Sequence, residues 1–234
     1  MEVVRILLVG YGRMGRLVGE LAPEYGGEVV GIVDPLSPHH TGPVDDDRWR
    51  DLVDVAIDFS LGEAVAGNVA ALARRGINVV LGTTGWQVHE AELKTIVADC
   101  GIGIVAAPNF ATGVILFQAI ARFAAERMAE QHEFQAWLHE AHHAMKKDAP
   151  SGTALLLKKT MEDAGYARVI NVSSTRAGWI PGTHTIGFDG PSDSITLTHT
   201  ARDRGAFARG ALSAARWVQR KRGWFDMQDV LGLR

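Results

Sequence analysis

The feature that most constrains this chain is a glycine-spaced turn near its start. Gly10-Tyr11-Gly12-Arg13-Met14-Gly15 follows the apolar run Arg5–Val9 and leads into a helical pattern. The first glycine permits a tight turn and the second lets backbone approach a pyrophosphate. The third allows close helix–strand packing, and the helix start offers free N–H donors to an anion. Asp34, 19 residues after Gly15, closes the next apolar run, where a carboxylate meets ribose hydroxyls. The turn therefore predicts a bound dinucleotide, NADH or NADPH. A carboxylate at Asp34 repels a 2′-phosphate, and Pro35 and Leu36 add no positive charge, which leans the expectation to NADH. Arg13 and Arg16 on the turn are candidates to meet such a phosphate instead, or are simply a solvated helix start.

The surrounding pattern is that of a parallel α/β sheet. Strands are predicted at Arg5–Val9, Val29–Val33, Val53–Phe59, Asn78–Gly82 and Gly103–Ala107, and helices at Met14–Glu20, Glu63–Arg75 and Val88–Asp99. A longer helix, Gly113–Gln131, follows, and the texture then changes. Glu133–His143, Asn171–Gly178, Thr183–Phe188 and Ser194–Thr200 read as strands, with one helix at Thr153–Glu162 among them. Asp189-Gly190-Pro191-Ser192-Asp193 reads as a hairpin connection. Ile195, Leu197 and His199 share one face of the last strand, as in a sheet with one solvated side. Phe207–Gln219 is a helix with the apolar stripe Phe207, Ala211, Ala214 and Val218. The fold class expected is α/β, a Rossmann-like domain followed by a smaller α+β domain with a mixed, mainly antiparallel sheet. The aromatics of Gly223-Trp224-Phe225-Asp226-Met227 are expected to pack the returning helix against the core.

Composition narrows the partners. Lys and Arg number 24 against 27 Asp and Glu, a net charge of −3, which argues against a general nucleic-acid or anionic-membrane binder. The one cysteine, Cys100, excludes a disulfide framework and a cysteine-cluster metal site. No apolar run approaches a membrane span, the N-terminal run is short for a signal peptide, and a cytoplasmic location is the expectation.

The segment richest in chemistry is His139-Glu140-Ala141-His142-His143-Ala144-Met145-Lys146-Lys147-Asp148-Ala149-Pro150-Ser151-Gly152-Thr153. Pro150 and Gly152 make it a turn, and Ser151 can cap the helix that follows. The free N–H groups of that helix start form a carboxylate site. A histidine passes a proton near neutrality, and a lysine neutralises a second carboxylate or a developing negative charge. Together they suit a small, doubly negative substrate. His142-His143 is also a possible metal pair, but no third ligand stands at a recognisable spacing, so no metal is expected.

Glu140-Ala141-His142-His143, Lys146 and Asp148-Ala149-Pro150-Ser151-Gly152-Thr153-Ala154 resemble the signature of the 4-hydroxy-tetrahydrodipicolinate (dihydrodipicolinate) reductase family. The resemblance continues through Gly10 to Arg16, Asp58-Phe59-Ser60, Gly82-Thr83-Thr84-Gly85, Asn109-Phe110, Arg176 with Gly178, Thr198-His199 and Phe207 to Ala211. It implies an NAD(P)H-dependent reductase of the diaminopimelate/lysine pathway. His142 would be the proton donor and Lys146 the second catalytic group, while His143, Ser151, Gly152 and Thr153 bind the substrate carboxylates. Gly82, Thr83, Thr84 and Ala107-Pro108-Asn109-Phe110 would line the nicotinamide side of the cofactor cleft. It further implies a homotetramer built through the second domain's sheet. The implied domains are residues 1–110 with 204–234 for the dinucleotide, and 111–203 for substrate and oligomerisation.

Two features depart from the family pattern. The segment between Thr153 and Ser174 is shorter, and Pro35 replaces the basic residue that often follows the ribose-binding acid in NADPH-preferring members. The shorter segment keeps a reductase of another cyclic imine carboxylate as an alternative. A non-enzymatic NAD(P)H sensor is a further one, with no need of His142 and Lys146.

Overall fold

The computed structural model describes residues 3–234. They form two compact units, residues 3–112 with Gly205–Arg234, and Gly113–Arg204.

The first unit is built on a six-stranded parallel sheet. In chain order its elements are β1 (Val4–Val9), α1 (Arg13–Leu21), β2 (Gly27–Val33), α2 (Trp49–Leu52), β3 (Val55–Asp58), α3 (Val65–Ala73), β4 (Asn78–Leu81), α4 (Glu90–Cys100) and β5 (Gly103–Ala106). The second unit carries α5 (Thr112–Met128), β6 (Gln135–His142), α6 (Gly152–Asp163), β7 (Asn171–Arg176), β8 (Thr183–Asp189) and β9 (Ser194–Thr200). The chain then returns to the first unit as α7 (Gly205–Val218), β10 (Gly223–Phe225) and α8 (Met227–Val230).

The first sheet has the order β10-β5-β4-β3-β1-β2. Its central strands are near-continuous runs of Val, Ile and Leu because helices cover both faces; all four residues of β3 are buried. The order reverses at β1, with β2 on one side and β3 on the other. That switch point is where an open parallel sheet leaves a crevice for a ligand, and Gly10 sits on it.

Three elements of this unit, α2, β10 and α8, are absent from the sequence reading. Trp49 opens α2 and is 1% exposed; a Cβ on Gly31 would lie 2.6 Å from its ring, so the glycine in β2 makes room for the indole. The Trp49 Nε1–H also donates to the Pro43 carbonyl at 2.8 Å. The tail motif forms β10, an edge strand paired with β5 through Gly223↔Gly103 and Phe225↔Val105. Phe225 does pack on Trp217 of α7, but Trp224 turns to the other side and meets Trp86, with ring centroids 5.7 Å apart.

The second sheet has the order β7-β6-β8-β9, with β6 and β7 parallel and the other pairs antiparallel. On its covered face Leu138, Ile186 and Phe188 pack against Phe117 of α5 and Leu157 and Met161 of α6. The opposite face is polar and open, with threonine hydroxyls paired across β8 and β9 at Thr183–Thr200 and Thr185–Thr198. Along β9, Leu197 and His199 are half-buried while Ile195, next to the hairpin, stays 41% exposed.

The connection from α6 to β7 is anchored along its length. Tyr166 and Ile170 are buried there, and Arg168 donates to the Met128, Ala129 and Gln131 carbonyls at the end of α5. A cation on those carbonyls opposes the negative end of the helix dipole.

Candidate active site

The covered face of the second sheet is divided along the strands. Side chains of a strand alternate between faces, so Ala136, Leu138, Glu140 and His142 all point the same way. The first two lie in the apolar core, and the last two carry the same row into a polar cluster. Register supplies the rest: Glu140 pairs with Ser174 and His184, His142 with Arg176, and His184 with His199.

Glu140 is the hub of this cluster and is fully buried. The Arg176 guanidinium donates to Oε1 at 2.6 Å and to Oε2 at 3.0 Å. The Ser151 N–H reaches Oε1 at 3.3 Å, and His142 Nδ1 is hydrogen-bonded to Oε2. Burial alone would raise the Glu140 pKa; the hydrogen bonds from Arg176, Ser174 and His142 bring it down to about 2. Burial lowers the His142 pKa, opposed by Glu140 and assisted by Lys146 and Arg176.

His184 did not emerge from the sequence reading, because a histidine in an alternating strand carries no distinguishing spacing. It is 5% exposed, its Nε2 is 3.1 Å from Ser151 Oγ, and its ring stands edge-on to His142 at 5.2 Å. Burial, with His142 adding to it, lowers its pKa to about 4. Ser151 caps α6, its Oγ accepting from the Ala154 N–H at 3.2 Å. Lys146 is held by Asp148, with Nζ–Oδ1 at 2.8 Å, and this ion pair is the main reason the Asp148 pKa is lowered. His143 Nδ1 is shielded from solvent and has no hydrogen-bond partner among the described residues. The structure thus gathers His142, Ser151 and His184 around Glu140, with Gly152 and Thr153 opening α6.

Ligand atoms of Glu140, His142 and His184 lie within 4.8 Å of one another, a spacing open to a metal ion. Arg176 already neutralises that carboxylate through both oxygens, so a divalent cation there would face a half-buried guanidinium.

These shifts predict the pH dependence of stability. His184 binds a proton more weakly folded than unfolded, so stability is lost as pH falls from about 6.5 towards about 4. Glu140 contributes stability present above about 4.5 and lost as pH falls towards about 2. Each is worth on the order of 3 kcal/mol. Thermal unfolding followed from neutral pH to pH 4 should show Tm falling, and His184→Phe should flatten that fall; an unchanged slope in the variant would refute the assignment.

The glycine turn of the first unit has the geometry that a pyrophosphate requires. A Cβ on Gly15 would lie 2.1 Å from the Gly10 carbonyl oxygen and one on Gly10 2.5 Å from that of Phe59, whereas nothing stands within 4 Å at Gly12. The two outer glycines are packed, and the middle one is left open at the start of α1. Asp34 Oδ2 accepts the Tyr11 N–H at 2.7 Å and Oδ1 that of Leu36 at 3.0 Å, which fixes the carboxylate at the turn. A cavity of about 630 Å³ runs beside it, lined by Gly10, Gly12, Asp34, Pro35, His40 and Leu61 among others. A second cavity of about 290 Å³ is lined by Gly12, Arg13, Met14, Gly82, Thr83 and Thr84. Arg13 and Arg16 are exposed, and Arg16 donates to the Tyr11 carbonyl.

A buried acid orders the loops here. Asp58, at the end of β3, accepts from Ser60 Oγ at 2.7 Å, Asn68 Nδ2 at 3.0 Å and Thr83 Oγ1 at 2.8 Å. In the segment from Ala107 to Phe110, Ala107 donates its N–H to the Leu81 carbonyl, and Asn109 Oδ1 accepts from the Ala111 N–H. Pro108 stands between them, and the Phe110 side chain is buried against Phe59.

Comparison with known proteins gives the family. The family model "Dihydrodipicolinate reductase, N-terminus" matches residues 4–110, and "Dihydrodipicolinate reductase, C-terminus" matches residues 113–231. The chain belongs to the dihydrodipicolinate reductase family. Among relatives of this reductase family, the 4-hydroxy-tetrahydrodipicolinate reductase of Alkalilimnicola ehrlichii is 39% identical over 98% of this chain and 99% of its own. That of Laribacter hongkongensis is 36% identical over 95% and 88%. The alignment with the first runs over 268 positions, so that relative carries residues this 234-residue chain lacks. A dipicolinate-bound dihydrodipicolinate reductase from Paenisporosarcina sp. TG-14 shares the fold, with a TM-score of 0.83 at 20% identity over 97% of this chain and 98% of its own. No helix among the described residues is long and apolar enough to cross a membrane.

Proposed function

We propose that this chain reduces 4-hydroxy-tetrahydrodipicolinate to tetrahydrodipicolinate with NAD(P)H, in the diaminopimelate/lysine pathway. The observation that carries the reading is the convergence of the His142 imidazole with the Ser151 start of α6 on one carboxylate hub, in a chain of this family. The first unit holds the cofactor: Gly10 to Gly15 meet the pyrophosphate, Asp34 the ribose, and Gly82, Thr83, Thr84 and Ala107 to Phe110 the nicotinamide side. Bound there, the dinucleotide supplies a hydride to ring carbon 4, vacated when the 4-hydroxyl leaves as water.

The second unit acts on the substrate. The N–H groups of Gly152 and Thr153 sit at the positive end of α6 and hold one carboxylate, with Ser151 capping the turn. Lys146 neutralises the second carboxylate, exchanging Asp148 for it, and His143 offers its unpartnered Nδ1. Once the hydride has arrived, His142 gives its proton to the electron-rich ring. Two negative charges beside an imidazole raise its proton affinity, so the dianion itself favours the protonated donor.

The site works in the cytoplasm on this reading, and the chain assembles as a homotetramer through the open threonine face of the second sheet. NADH is the preferred cofactor, because a fixed Asp34 carboxylate repels a 2′-phosphate. Asp34→Ser should shift the NADH-to-NADPH ratio of kcat/KM towards NADPH by about tenfold or more, since removing a repulsion relaxes specificity. An NADPH preference in the unaltered protein would refute this.

The test of the reaction generates the substrate with the preceding synthase and follows loss of reduced-nicotinamide absorbance. Substrate-dependent oxidation supports the reading. Oxidation only with monocarboxylate imines would assign the shorter chain to a different cyclic imine, and saturable cofactor binding without any turnover would make it a sensor.

A further inference from the structure

We propose that Glu140 is the positioning residue of the His142 imidazole, holding its Nδ1–H so that Nε2 alone exchanges a proton, and that Arg176 sets how strongly Glu140 does so. The proposal rests on the reading of His142 as proton donor and deepens it.

The geometry leaves little freedom. Ionised Glu140 is acceptor-only, so the atom of His142 that meets it must be a donor. Its oxygens take Arg176, Ser151, Ser174 and His142, and the residue is 0% exposed. With Nδ1 engaged, Nε2 is the remaining position on the ring. It lies against Gly182, where a Cβ would approach it to 3.1 Å, so the absence of a side chain there keeps that nitrogen accessible. A fixed tautomer is what a histidine acid needs, and a buried carboxylate on the far nitrogen is the usual means.

The charges around the ring explain why an arginine belongs in the same cluster. From β6 itself comes Glu140, from β7 Arg176, from β8 His184, and from the loop after β6 Lys146 with its partner Asp148. His199 on β9 lies beyond His184, and burial lowers its pKa. His184 stays neutral above about pH 4, so it adds no positive charge to the ring at working pH. A buried carboxylate with no cation of its own would bind the imidazolium too firmly for it to act as an acid. Arg176, on both oxygens, shares that negative charge.

The two partners therefore act in opposite directions. Removing the Glu140 charge lowers the proton affinity of His142, and removing Arg176 raises it. As an acid, His142 must be protonated, so turnover falls on the alkaline side as pH rises through its pKa.

The experiment compares kcat–pH profiles of the intact protein, Glu140→Gln and Arg176→Gln, together with imidazole nitrogen NMR of His142, assigned with His142→Asn. The expected result is an alkaline limb moved about one unit lower in Glu140→Gln and higher in Arg176→Gln. Glu140→Gln should also lose kcat at least about tenfold with an unchanged KM for cofactor, and Glu140→Asp should recover part of the limb. Limbs that stay put, or move the same way in both variants, overturn the proposal. NMR of the unaltered protein decides it even if a variant fails to fold. A proton on Nδ1 supports it, and a bare Nδ1 with the proton on Nε2 in the neutral form overturns it. A locked Nδ1–H tautomer in a protein that never turns over the imine dicarboxylate upholds the positioning and removes the reaction.

Discussion

His142→Gln should lower kcat by roughly 10²–10⁴-fold, the usual contribution of a positioned general acid. Glutamine keeps the polarity and much of the size of the ring but has no proton to give near neutrality. Lys146→Ala should do comparable damage for a different reason. Its ammonium, held in the structure by Asp148 at 2.8 Å, is the charge available to a second carboxylate. Without it the dianion is poorly aligned, and alignment of bound reactants is worth several kcal/mol of barrier, up to about 7–11 in well-oriented cases. In both variants NADH binding, followed by its fluorescence, should be unchanged, because every residue at the glycine turn belongs to the other unit. Wild-type turnover in both would refute the assignment. Loss of NADH binding in parallel with turnover would point to misfolding instead.

Gly210→Ala should produce the largest loss of stability from a single methyl group. A Cβ at this position of α7 would lie 1.7 Å from the Phe110 carbonyl oxygen, a contact with backbone rather than with a movable side chain. Either the helix or the Ala107–Phe110 segment must retreat, and overpacking of this kind costs about 3 kcal/mol. In a chain of this size that corresponds to a drop in Tm of roughly 6–12 °C. NADH affinity should fall with it, since the displaced segment is the one proposed to line the nicotinamide side. A Tm within about 2 °C of the parent would mean that the two backbones are not in contact.

What the sequence disclosed follows from which features are local. The glycine turn and Asp34 were legible because their signature is one of spacing, and the structure adds that the Tyr11 and Leu36 N–H groups pin the carboxylate. Strand runs such as Val55–Asp58 were legible because burial on both faces leaves an unbroken apolar signature. His142, Lys146 and Ser151 stood out because one continuous segment carries them. His184 and Arg176 join that cluster only through strand register, which a single sequence does not display. Arg176 was noticed solely through resemblance, and its grip on Glu140 was not foreseen. Trp49 and β10 escaped for a related reason. A four-residue helix and a three-residue strand are too short to show a period, and each is held by a distant partner, Gly31 for one and β5 for the other.

The return of the chain to its first unit has a consequence for biosynthesis. Strands β1 to β5 leave the ribosome long before α7 and β10, yet Ala211, Ala214 and Val218 of α7 belong to the buried core, and β10 closes the β5 edge. Until residues 205–234 emerge, the nascent sheet has an open edge and an uncovered apolar face, both of which invite association with other chains. The inserted unit, residues 113–204, has all its strands by then and is free to fold first. Residues 205–234 thus act as a fastening applied after both the first five strands and the inserted unit have been made, and a chain released before them would be an aggregation hazard rather than a slightly shortened enzyme.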